Sequence, residues 1–147
     1  MIKVLFVCTE NKARSVMAAE IFRDLLKKEQ RQDFVCQSAG FAAVNGADID
    51  ENTVKVLNEI GITPENKESR KLTSDEIPVW DIFFAVSDTH AYILEQAGAP
   101  TDKIYVCSYV KDPHGEDIEV YRECRNKLIG EVRKFYDILK MRIGMLL

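Results

Sequence analysis

The chain opens on a nearly unbroken apolar run, IKVLFV at residues 2–7, the pattern of a strand buried on both faces. A polar stretch over residues 8–15 follows. From Val16 the apolar positions recur at i+4, through Met17, Ile21 and Leu25, which predicts an amphipathic helix. DFVCQS, residues 33–38, reads as a second strand ended by Ala39-Gly40, and Asn45-Gly46 marks a turn in the loop beyond it. Residues 51–61 read as a helix with Asp50 as N-cap and Gly61 as its stop. A polar connection covers residues 62–72, and WDIFFAV (80–86) is a third buried strand. Ser87 or Asp88 caps the next helix, residues 89–98, and KIYVCSYV (103–110) is a fourth strand. After the loop KDPHGED a long helix starts at Ile118, with Tyr121, Cys124, Leu128, Val132, Phe135 and Leu139 at i+3 or i+4.

Strands alternating with helices predict right-handed crossovers, hence an α/β fold: a four-stranded parallel sheet with helices on both faces. A length of 147 residues suits a single domain spanning 1–147. Ligands of such sheets sit beyond the carboxyl ends of the strands. Cys8 ends the first strand and Asp112 closely follows the fourth, so the topology carries both to one edge.

Net charge is −4 with no basic run, which argues against a nucleic-acid partner. The apolar start is too short for a signal peptide, and no stretch approaches the roughly 20 apolar residues of a membrane span. The cysteines Cys8, Cys36, Cys107 and Cys124 are scattered without a C-x-x-C pair and read as reduced thiols of a cytoplasmic protein. With two histidines and no ligand cluster, no metal site and no cofactor are expected. A monomer is expected.

A lone cysteine at a strand end is ordinarily a core thiol. Cys8 differs because Arg14-Ser15 follows at a spacing that closes a loop between strand and helix. The backbone N–H groups of Thr9, Glu10, Asn11, Lys12 and Ala13, with the helix N-terminus, can form an anion nest. That field and the Arg14 guanidinium favour the thiolate over the thiol. Arg14 can grip two phosphate oxygens through its planar fork. Ser15 can donate to the sulfur, and Asn11 tolerates left-handed angles. Asp112, before Pro113, is placed to protonate a leaving oxygen and then to accept a proton from water.

These residues resemble the low-molecular-weight protein tyrosine phosphatase family across nearly the whole chain: Cys-x5-Arg-Ser after the first strand, MAAE, SAG, SRKL, and DPHG followed by YRECRNKL. The resemblance implies a phosphocysteine intermediate, no metal and a phosphorylated protein substrate. It implies Cys8 as nucleophile, Arg14 as phosphate clamp, Ser15 as thiolate partner, Asn11 as loop brace and Asp112 as general acid and base. Three positions depart from the family loop: Glu10 for glycine, Ala13 for a second cysteine and Val16 for proline. Glu10 is expected to point to solvent. His114 stands where the family places an aromatic ring flanking the substrate, and Phe41 and Val44 are candidates for the opposite wall.

A related group acts on phosphoarginine and carries a threonine in the loop where this chain has Lys12. A lysine near an incoming guanidinium is unfavourable, so phosphotyrosine is the expected substrate. Arsenate reductases that share the loop need two further cysteines after the third strand, and the stretch AVSDTHAYILEQ has none. Phosphocysteine carriers of sugar transport do not need Arg14 or Asp112. A catalytically impaired anion binder is the remaining alternative, raised by Glu10.

Overall fold

A computed structural model describes residues 1–146. The strands are β1 (Ile2–Cys8), β2 (Phe34–Gly40), β3 (Ile82–Ala85) and β4 (Ile104–Val106). The helices are α1 (Arg14–Lys28), α2 (Glu51–Asn58), α3 (Asp88–Gln96) and α4 (Ile118–Leu146). All strands pair in parallel in the order β2-β1-β3-β4. The chain leaves β1 toward one side and returns on the other, so the order reverses between β1 and β3, where such sheets form their crevice.

Alternation along β1 divides the core. Val4, Phe6 and Cys8 face one cluster, with Met17 and Phe22 of α1 and Leu128, Val132 and Phe135 of α4. Leu5 and Val7 face the other, with Leu94 of α3 and Trp80. Phe6 anchors the first cluster, its ring centroid 5.0 Å from Phe84 and 5.4 Å from Phe22. Fully buried aromatics of this kind contribute about 1.5–3 kcal/mol each through area removed from water.

Several boundaries differ from the sequence reading. Helix α1 starts at Arg14, two residues early, because Met17 N–H already reaches Ala13 C=O (2.8 Å). Strand β4 spans three residues, not eight. Its neighbour β3 ends at Ala85, opposite Val106, and after the bond from Cys107 N–H to Ala85 C=O (2.9 Å) no strand remains to pair with. Ser74–Val79, between the expected connection and the third strand, forms a 3₁₀ turn that the pattern did not mark, started by a capping box between Thr73 and Glu76. Asp50 occupies the N-cap position of α2 but makes no side-chain cap bond; its carboxylate is engaged elsewhere.

Candidate active site

Loop 8–15 joins β1 to α1 at the crevice. Asn11 is buried with φ 57°, the left-handed conformation that turns the loop back on itself. Its N–H points at Cys8 Sγ (3.3 Å). Its side-chain amide donates to Ser15 Oγ (2.8 Å) and Ser38 Oγ (2.9 Å), and its Oδ1 accepts from Arg70 N–H (2.9 Å). Ser69 Oγ donates to its carbonyl (2.8 Å). One asparagine thus ties the loop to β2 and to the segment before the 3₁₀ turn. Ser15 Oγ lies 2.9 Å from Cys8 Sγ, so the sulfur receives a backbone N–H and has a hydroxyl against it.

Gly40, at the end of β2, explains why SAG matters. A Cβ there would lie 2.5 Å from Thr9 O and 2.8 Å from Asn11 N, inside contact distance of backbone that has nowhere to go. The absence of a side chain lets the loop settle on the sheet.

Arg14 is buried. Its Nη1 donates to Val110 C=O (3.4 Å) and its Nη2 lies 3.6 Å from Asp112 Oδ2, which ties the loop to the turn after β4. In that turn Gly115 takes φ 82° and His114 N–H donates to Asp112 Oδ1 (3.1 Å). A small pocket is lined by Cys8, Glu10, Lys12, Ala13, Arg14, Asp112 and His114. Seven residues from two loops nearly a hundred positions apart therefore share one concavity. Thr9 is exposed and is not among the lining residues.

Three placements correct the sequence reading. Glu10 does not simply face solvent: it lines the pocket, with Oε2 3.6 Å from His114 Nε2. Phe41 does not line the pocket; it stacks on His90 at 6.0 Å and packs toward the α3 side of the sheet. Val44 is exposed and is not among the lining residues.

Two residues of the site had no sequence signal. His90, buried at the start of α3, has Nε2 2.8 Å from Thr9 Oγ1 and Nδ1 2.6 Å from the N-cap Ser87 Oγ. Burial, reinforced by the charge of Arg14 and opposed by Asp112, lowers its pKa to about 4, so the ring is neutral at pH 7. Asp50 accepts from Tyr121 OH (2.6 Å) and from His114 Nδ1–H (2.8 Å). Asp50 was readable only as a helix cap. Among the described residues no cluster of His, Cys, Asp and Glu is arranged to hold a metal ion.

A family model described as low molecular weight phosphotyrosine protein phosphatase matches residues 3–143. The chain is 30% identical over 146 residues to a protein-arginine-phosphatase of Bacillus subtilis, covering 93% of this chain and 96% of that one. Among solved structures, a low molecular weight protein tyrosine phosphatase from T. tengcongensis superposes with TM-score 0.85 at 30% identity, covering 93% and 99% of the two chains. A cysteine-to-serine mutant of the YwlE arginine phosphatase, with its active-site serine phosphorylated, superposes with TM-score 0.86 at 28% identity, covering 95% and 96%.

Proposed function

The chain belongs to the low molecular weight phosphotyrosine protein phosphatase family, and we propose that it hydrolyses phosphotyrosine in proteins through a phosphocysteine on Cys8. The observation that carries the reading is the convergence on one sulfur. Asn11 N–H and Ser15 Oγ both meet Cys8 Sγ, while Arg14 stands between the loop and Asp112. In the first step Cys8 Sγ attacks phosphorus, an S–P bond forms and the P–O bond to the tyrosine breaks. Asp112 gives its proton to the departing phenolate oxygen. Arg14 and the loop N–H groups hold the equatorial oxygens as charge spreads over them. In the second step Asp112 takes a proton from water, whose oxygen bonds to phosphorus. The S–P bond breaks, Ser15 receives the thiolate, and inorganic phosphate leaves.

Lys12 in the pocket lining supports phosphotyrosine, because it sets a cation where a guanidinium would enter. A second reading, phosphoarginine, has its own support: Glu10 and Asp112 place carboxylates in the same lining, and no phenylalanine, tyrosine or tryptophan is among those residues. One comparison separates them. Purified protein, with a chelator present, is given phosphotyrosine and phosphoarginine peptides, alongside Lys12→Thr and Cys8→Ser. Phosphotyrosine turnover should dominate, Lys12→Thr should raise the relative rate on phosphoarginine, and Cys8→Ser should be inactive yet folded. Dominant phosphoarginine turnover by the wild type would replace the first reading with the second. Substantial Cys8→Ser activity would remove the phosphocysteine from both.

A further inference from the structure

Glu10 and His114, two of the positions that depart from the family pattern, face each other across the pocket mouth. The His114 ring stands between two carboxylates, with Nδ1 2.8 Å from Asp50 Oδ2 and Nε2 3.6 Å from Glu10 Oε2. Asp50 is anchored in turn. Tyr121 OH of α4 donates to the same oxygen, and Asp50 N–H donates to Lys12 C=O (3.1 Å), which also accepts from Thr53 Oγ1 (2.8 Å). The far end of the bridge is therefore fixed to both α4 and loop 8–15.

The near end carries Asp112. His114 N–H bonds Asp112 Oδ1, so where the His114 backbone sits decides where that carboxyl points. The contact from Arg14 to Asp112 is long, 3.6 Å, and Asp112 is exposed, so Arg14 alone fixes the turn poorly. We propose that His114 is a positioning residue that, by bridging Glu10 and Asp50, holds Asp112 over loop 8–15 in the orientation that proton transfer needs. The proposal rests on Asp112 being the general acid.

The bridge is two-sided only for the imidazolium, which has two N–H donors; the neutral ring must turn a lone pair toward one carboxylate. The hydrogen bond to Asp50 raises the pKa of His114, against partial burial, and the charges of Asp50, Glu10 and Asp112 add to it. The other charged or titratable groups around it are Cys8, Lys12 and Arg14 in the lining and Tyr121 on α4. With both partners partly solvated, the Glu10 contact adds little stability. What the bridge sets is geometry, to which proton transfer is sensitive.

The test measures kcat and KM on aryl phosphates whose leaving groups span a wide range of acidity, near pH 6 and above pH 8. It uses wild type, His114→Ala, His114→Arg and Asp112→Asn. His114→Ala should lose about ten- to a hundredfold in kcat on the poorest leaving groups and little on the most acidic, with KM hardly moved. His114→Arg, which keeps two-sided donation at any of these pH values, should retain the wild-type leaving-group profile. It should also hold that profile at alkaline pH, where the wild type steepens. An equal loss in His114→Ala across all leaving groups, a rise in KM alone, or no change overturns the proposal and leaves His114 as part of the substrate wall. If Asp112→Asn shows no leaving-group dependence, the assignment of the acid falls, and the proposal with it. A steep Asp112→Asn with a flat His114→Ala sinks the proposal alone.

Discussion

Asn11 and Gly40 do at single positions what the rest of loop 8–15 depends on. Asn11 spends its side chain on Ser15, Ser38 and Arg70 N–H while its own N–H reaches Cys8. Gly40 supplies the empty space the loop lies in. Gly40→Ala forces a methyl against Thr9 O and Asn11 N, neither of which is a movable side-chain end. The variant should lose about 1–3 kcal/mol of stability from overpacking. Because the atoms displaced belong to the loop, kcat/KM should fall by more than the melting curves alone suggest. Urea melts and steady-state kinetics on the same preparation check this. A variant that is destabilised yet fully active would show that the loop relaxes without moving Cys8.

At the scale of the element, α3 acts on the site through its first turn. Ser87 caps the helix by accepting His90 N–H (3.3 Å), and the His90 ring reaches across to Thr9. The ring is held neutral in the folded protein, with its pKa lowered to about 4, while in the unfolded chain it protonates near the ordinary 6.5. Between those values the unfolded state binds the extra proton, so stability falls as pH drops from 6.5 toward 4. This one buried residue accounts for roughly 1–3 kcal/mol of that loss. His90→Gln, which cannot titrate, should flatten this part of the profile. Urea melts at pH 7 and pH 4.5 on both proteins give the difference directly, and identical slopes would mean His90 does not report on folding.

For the whole molecule, the placement of the thiols decides how it responds to oxidation. Cys36 pairs with Val4, four residues along the strand from Cys8, a separation of about 13 Å. Cys107 follows Val106, two strands over from Val7, about 10 Å away. Both exceed the roughly 4.4–6.8 Å between Cα atoms that a disulfide needs. Burial raises Cys36 to about 11, and burial with the nearby Glu131 raises Cys107 to about 12, so neither offers a thiolate. Cys124 is raised to about 12, by burial first, with Arg14 opposing and the charges of Asp112 and Cys8 adding. It shares the core cluster of Cys8 but is locked in α4. Ala13 fills the place of the second loop cysteine. Peroxide should therefore inactivate the protein with poor recovery on dithiothreitol, as Cys8 passes from sulfenic to sulfinic acid. Activity and intact mass after each step test this. Near-full recovery through an internal disulfide would mean that α4 moves enough to bring Cys124 to Cys8.

Periodicity and punctuation in the sequence determined the four strands, the four main helices and the parallel sense of the pairing, because each depends on local pattern and on short-range crossover geometry; the strand order β2-β1-β3-β4 came from the folded chain. The spacing from Cys8 to Arg14 and Ser15 likewise determined a loop, since one turn of backbone at a strand end closes whatever lies around it. Asp112 was placed at the same edge by topology alone. Tertiary structure decided the partners. Asp50 looked like a helix cap and instead joins His114 and Tyr121, and Glu10 looked like a solvent residue and instead faces His114. His90 carried no motif and reaches Thr9 from 81 residues away. Strand β4 stopped at Val106 because β3 ran out, which no property of residues 107–110 records. Hydrophobic period and turn chemistry are written in neighbouring residues. The direction of a polar side chain is set by whichever donor or acceptor the folded chain brings within about 3 Å, and distant parts of the chain supply it.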